Sequence, residues 1–170
     1  MKARTLLLTG VLGSTVLFLA GCPAASLYFV NLQDVSIEDN SILNEAVSNI
    51  DVPSSFTVSD VNVNIDIEHT AVEDLDVWVE SPEGTTVALT LTESGENFED
   101  TIFDDEADDP IDDGSAPYSG RWQIDSNLIG QSLSDFDGED AEGTWKLHVR
   151  DTNSGDVGFI EGWGIRFVAE

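Results

Sequence analysis

Basic side chains are scarce in this chain of 170 residues: six Lys and Arg stand against 34 Asp and Glu, for a net charge of -28. Between Arg4 and Arg121 there is no Lys or Arg at all. Phosphate backbones are held by clustered cations, so nucleic acid is excluded as a partner. Cysteine occurs once, which excludes a disulfide framework and any multi-cysteine zinc site. The only two histidines, His69 and His148, lie far apart in the sequence and argue against a nitrogen-seeking metal. Clean helical periodicity is missing as well. What is present is 41% apolar content, spaced too regularly for a disordered acidic chain. The length suits one domain with an ordinary core, or a domain and a tail.

The one cysteine has an explanation at the amino terminus. Lys2 and Arg4 precede an apolar stretch from Thr5 to Ala20, which ends in Leu19-Ala20-Gly21-Cys22. A membrane-spanning helix needs about 20 apolar residues, and this stretch is shorter and broken by Gly10 and Gly13. The arrangement is that of a secretory signal peptide. Its last four residues resemble the bacterial lipobox, which implies removal of residues 1–21 and a diacylglycerol on Cys22. Pro23 follows where the inner-membrane retention signal of enteric bacteria has Asp, so the outer membrane or cell surface is the expected location. Cleavage would remove two bases and no acid, taking the charge from -28 to -30.

Residues 22–49 read as a mostly irregular tether, with a short helix or a first strand around Ile42 to Val47. From Ile50 the pattern changes. Val61, Val63, Ile65 and Ile67 alternate with polar residues, a strict period of two. Leu75, Val77 and Val79 repeat it; Val87, Leu89 and Leu91 follow after the turn Ser81-Pro82-Glu83-Gly84; Trp145, Leu147 and Val149 follow after Gly143. Ile165 and Phe167 close the chain. Short strands joined by Gly, Pro and Asp turns predict an all-β antiparallel sandwich or barrel over residues 50–169.

Ile65-Asp66-Ile67-Glu68-His69-Thr70, Asp74-Leu75-Asp76-Val77 and Ser81-Pro82-Glu83-Gly84-Thr85 resemble the opening of the P domain (Homo B domain). That domain follows the catalytic domain in subtilisin/kexin-like proprotein convertases and in several bacterial proteases. The resemblance continues through Phe103-Asp104-Asp105-Glu106-Ala107, Ala116-Pro117-Tyr118-Ser119-Gly120, Gly143-Thr144-Trp145-Lys146-Leu147, Asp151, Asp156, Gly158 and Trp163. It implies a jelly-roll β-sandwich of about eight strands. It also implies a module that accompanies serine proteases and supports their folding and calcium response.

A subtilisin-like triad needs a Ser, a His base and an orienting Asp on a separate catalytic domain. This chain has no room for one and no nucleophile elbow, so it is expected not to be an enzyme. His69 is expected to close the turn after its strand. His148 is expected on the outward face of its own. Calcium fits the acidic content better, because it takes six to eight oxygens from flexible loops. One candidate loop is Asp104-Asp105-Glu106-Ala107-Asp108-Asp109, within a stretch from Glu93 to Asp113 that holds eleven acids and no base. The other is Asp151-Thr152-Asn153-Ser154-Gly155-Asp156. With Asp74 and Asp76 at a strand start, the candidate Ca²⁺ ligands are Asp74, Asp76, Asp104, Asp105, Asp108, Asp151, Asn153 and Asp156. Trp78 alternates out of the core face and is a candidate binding platform. Lys146, His148 and Arg150 share one strand face and are expected to receive part of the acidic surface.

These readings combine into a non-catalytic, lipid-anchored module at the cell envelope, stabilised by calcium and bound to a protein partner such as a protease. The alternatives are a hydrolase component related to serine-type endopeptidases and, by fold analogy alone, a glycan-binding jelly roll.

Overall fold

The computed structural model describes residues 15–18, 26–40, 44–91 and 93–168. Eleven strands form two sheets: β1 (Thr15–Phe18), β2 (Ser26–Asn31), β3 (Val35–Ile37), β4 (Ala46–Val52), β5 (Val61–His69), β6 (Leu75–Glu80), β7 (Thr86–Thr90), β8 (Phe98–Phe103), β9 (Gly120–Trp122), β10 (Gly143–Asp151) and β11 (Gly158–Val168). The larger sheet has seven strands in the order β1-β2-β11-β5-β8-β9, with β3 also on β11. The smaller runs β4-β10-β6-β7. Pairing is antiparallel apart from β8 with β9. Cys22 and most of the expected signal peptide lie outside the described residues, although Thr15–Phe18 within that stretch pairs with β2.

The alternation seen in sequence becomes the sandwich core. Along β5 every second residue, from Val61 to His69, is buried. Leu75, Val77 and Val79 on β6 and Trp145, Leu147 and Val149 on β10 face it from the other sheet, each 1% exposed or less. Trp145 sits at the centre, edge-on to Phe136 at 5.1 Å and to Phe167 at 5.2 Å, and its indole N–H donates to the Ala141 carbonyl. Edge-to-face packing places positive ring edges on negative ring faces. The turn Ser81–Gly84 closes as expected, with Gly84 at φ 91° donating to the Ser81 carbonyl.

Two expectations change. The described residues of 22–49 are not mostly irregular: β2, β3 and the first residues of β4 fall there, and β4 pairs with β10 from Gly143↔Val52 to Val149↔Ala46. The strand was hard to read because two of its inward residues are Ala46 and Ser48. The acidic stretch from Glu93 to Asp113 is also not all loop, since it contains β8. Asp100 sits there at φ 49° beside a register break between Ile65 and Ile67, so the alternation is interrupted.

Candidate functional site

The outer face of the smaller sheet carries a ladder of paired charges. Across β10 and β6, Lys146 lies opposite Glu80, His148 opposite Trp78, and Arg150 opposite Asp76. Lys146 Nζ donates to Glu80 Oε1 at 2.7 Å, and Arg150 is ion-paired with Asp76. The Lys146 hydrogen bond draws the Glu80 carboxyl below the usual carboxylate range, against a smaller opposing effect of burial. His148 has Nδ1 3.0 Å from Glu45 Oε1 and Nε2 3.3 Å from Glu80 Oε2. Its ring stacks on Trp78 at 4.9 Å and 7°, and the Arg150 guanidinium lies 5.6 Å from the same indole. Trp78 therefore stands on the outward face but is covered by side chains of β10, which is not the open platform expected of it. His148 is outward in register yet only 6% exposed, because Trp78, Glu45 and Glu80 enclose its ring. The basic face does meet acids of its own chain. Glu45 is the member sequence reasoning missed, since it sits in the presumed tether.

A second cluster forms where β5 ends beside β10. His69 and Asp151 are both fully buried as side chains, with Nε2 and Oδ2 3.4 Å apart. Nδ1 of His69 lies 2.9 Å from the Ala71 carbonyl, closing the turn after β5 as expected. Asp151 Oδ1 accepts from the Asn153 backbone, and Asn153 Nδ2 donates to Asp74 Oδ1 at 2.6 Å. Asp156 accepts from Thr70 Oγ1, and Gly155 N–H donates to Asp39 Oδ1.

In the acidic loop the carboxylates serve the backbone. Asp104 accepts from Arg121 Nε at 2.5 Å and from the Glu106 amide. Burial alone would raise its pKa, but those bonds outweigh it and leave Asp104 below the usual range. Asp105 accepts from the Ser132 hydroxyl and from the amides of Leu133 and Ser134. It thereby caps the short 3-10 turn Leu133–Phe136 that seats Phe136 under Trp145. Asp108 enters none of these bonds.

The eight expected calcium ligands thus fall into separate places. Asp74, Asp151 and Asn153 come together, Asp156 is turned to Thr70, Asp76 to Arg150, Asp104 to Arg121 and Asp105 to a turn. Among the described residues no three His, Cys, Asp or Glu converge as a ready metal cage, and calcium needs six to eight oxygens. Catalysis finds no support either. A general base must offer a free nitrogen to a nucleophile. His69 is fully buried and His148 only 6% exposed, so neither ring presents a nitrogen to a substrate at the surface.

The proprotein convertase P-domain model matches residues 58–167. This chain belongs to that family. Strands β2, β3 and β4, which precede the matched segment, pair with its strands β11 and β10. Two solved structures share the fold. A serine protease of Aeromonas sobria in complex with a chaperone matches at 18% identity and a TM-score of 0.54, over 88% of this chain and 27% of that one. The same organism's serine protease matches at 19% identity and a TM-score of 0.51, over 88% and 28%. The chain spans about a quarter of the length of these proteins. Among the described residues no helix is long and apolar enough to cross a membrane.

Proposed function

We propose that the chain is a non-catalytic P domain held at the bacterial cell envelope by a diacylglycerol on Cys22, where it binds and stabilises a serine protease of the subtilisin class. One observation carries this reading: the P-domain model matches residues 58–167, and both histidines of that segment are buried, with side chains 0% and 7% exposed. The solved proteins that share the fold are serine proteases about four times longer, in which a unit of this size accompanies the rest of the chain. A P domain on its own lipid anchor would serve such an enzyme in trans.

Calcium belongs to the proposal only at the corner of Asp74, Asp151 and Asn153. There a turn of the Asn153 carboxamide would exchange its Nδ2 for an oxygen beside Asp74. A calcium-specific rise in melting temperature, beyond that of NaCl at equal ionic strength and lost in Asp74→Asn, supports this corner.

The deciding experiment is capture of the tagged chain from detergent-solubilised membranes, probed with a fluorophosphonate. The expected result is a labelled partner and an unlabelled P domain, with Cys22→Ser losing palmitate incorporation and leaving the membrane fraction. Label on a Ser of this chain that disappears in His69→Ala would overturn the non-catalytic reading.

A further inference from the structure

The outer face of the larger sheet carries a groove of about 300 Å³ that plays no part in the chemistry above. It crosses β2, β11 and β5 through Tyr28, Arg166 and Asn62, which are register neighbours, and reaches Asn64 and the Asp104–Arg121 pair beyond them. Gly164 makes room for it: a Cβ there would meet the Tyr28 hydroxyl at 2.5 Å, so only glycine lets that ring lie across the sheet.

Among the described residues the polar groups of this groove find few partners. Among the described residues nothing bonds the Tyr28 hydroxyl or either end of the Asn62 carboxamide, whose Oδ1 is buried without a donor. Asn64 makes one long bond, Nδ2 to the Thr101 carbonyl at 3.4 Å. Lys146, Arg150 and Arg121 each hold a carboxylate, whereas Arg166 is the one described Lys or Arg without one. Its guanidinium lies 5.6 Å over the Tyr28 ring. Such unpaired capacity is unexpected in a chain with 34 acids, because polar groups at a folded surface normally find partners.

Charge narrows the class of ligand. Asp104 neutralises Arg121, and Asp100 on the groove wall opposes Arg166. A molecule of charge -28 repels anions from a distance. Burial pushes the Tyr28 phenol up, against Arg166, so it remains a neutral hydroxyl donor. A hydroxyl, two carboxamides and a guanidinium lining a small groove, with Ile102 and the Tyr28 ring as apolar surface, suit a neutral ligand dense in both donors and acceptors.

We propose that this groove binds a neutral saccharide, held by the Asn62 and Asn64 carboxamides, the Tyr28 hydroxyl and the Arg166 guanidinium. This goes beyond the protease-binding role and does not rest on it. The test is titration of the full ¹⁵N-labelled chain, in a sugar-free detergent, with maltotriose, cellotriose and tri-N-acetylchitotriose at millimolar concentration. At least one is expected to move the side-chain amide resonances of Asn62 and Asn64. Asn62→Ala with Asn64→Ala should weaken that binding about tenfold or more, two lost hydrogen bonds of about 1 kcal/mol each. Tyr28→Phe, which keeps the ring under Arg166, should weaken it by a smaller factor with the melting temperature unchanged. Silence of those resonances with all three sugars overturns the proposal. So does binding indifferent to both variants, or tighter binding of trigalacturonate, which would make this a site for anions.

Discussion

Glu161 shows how charge acts at a single residue in this P domain. It is exposed on β11, and burial together with Glu68, Asp66, Asp34 and Glu99 raises its carboxyl above the ordinary range. A carboxyl raised by folding stabilises below its unfolded pKa, and that contribution is lost as pH rises through the folded value. At neutral pH ionised Glu161 therefore costs stability. Glu161→Gln is expected to raise stability at pH 7 in low salt by less than about 1 kcal/mol, seen as a higher melting temperature, because the site is exposed and screened. The gain should vanish near pH 4, about where glutamate protonates, and in molar salt. Glu80 and Asp104 carry the opposite sign: both are held below the usual range, so their contribution is present at neutral pH and lost on acidification. Thermal melts of wild type and Glu161→Gln across pH check both. Residues of this kind were only half legible. The outward position of Trp78 followed from alternation, but the stacking of His148 over it needed the cross-strand register.

At the scale of the element, legibility followed the size of the inward residues. Strands β5, β6, β7 and β10 were plain because Val, Ile, Leu and Trp recur every second position. Strand β4 hides because Ala46 and Ser48 face inward, and β8 because Asp100 breaks its phase. Glycine marks a close approach that no pattern announces. A Cβ at Gly158 would stand 2.2 Å from the Glu68 carbonyl and 2.5 Å from the His69 ring. Gly158 pairs with both His69 and Ile37, so β5, β11 and β3 meet there. Gly158→Ala is expected to cost about 1–3 kcal/mol or more, as overpacking does, with urea denaturation as the measurement. A midpoint equal to wild type would show that the three strands can shift apart without loss.

For the whole molecule, the imbalance of 34 acids to six bases governs stability through the medium. Like charges on a small domain repel over about 30 Å at 10 mM salt and about 3 Å at 1 M. The melting temperature should therefore climb steeply with NaCl. A flat response would mean that local pairs such as Lys146 with Glu80 already neutralise the repulsion. The same imbalance explains why three of the four described Lys and Arg residues are tied to carboxylates, and why the fourth, Arg166, draws attention.

The sequence by itself determined that this is an all-β domain, where most of its strands run, and which family it belongs to. Those follow from a period of two and from motifs that local sterics and turn chemistry impose. Only the tertiary structure decided which acids meet which bases. Asp74, Asp151 and Asn153 are gathered by β6 and β10, while Asp76, Asp104 and Asp105 are held by Arg150, Arg121 and a 3-10 turn. Pairings such as Asp76 with Arg150 and Asp74 with Asn153 join residues more than seventy positions apart, and no spacing along the chain encodes the register that brings them together.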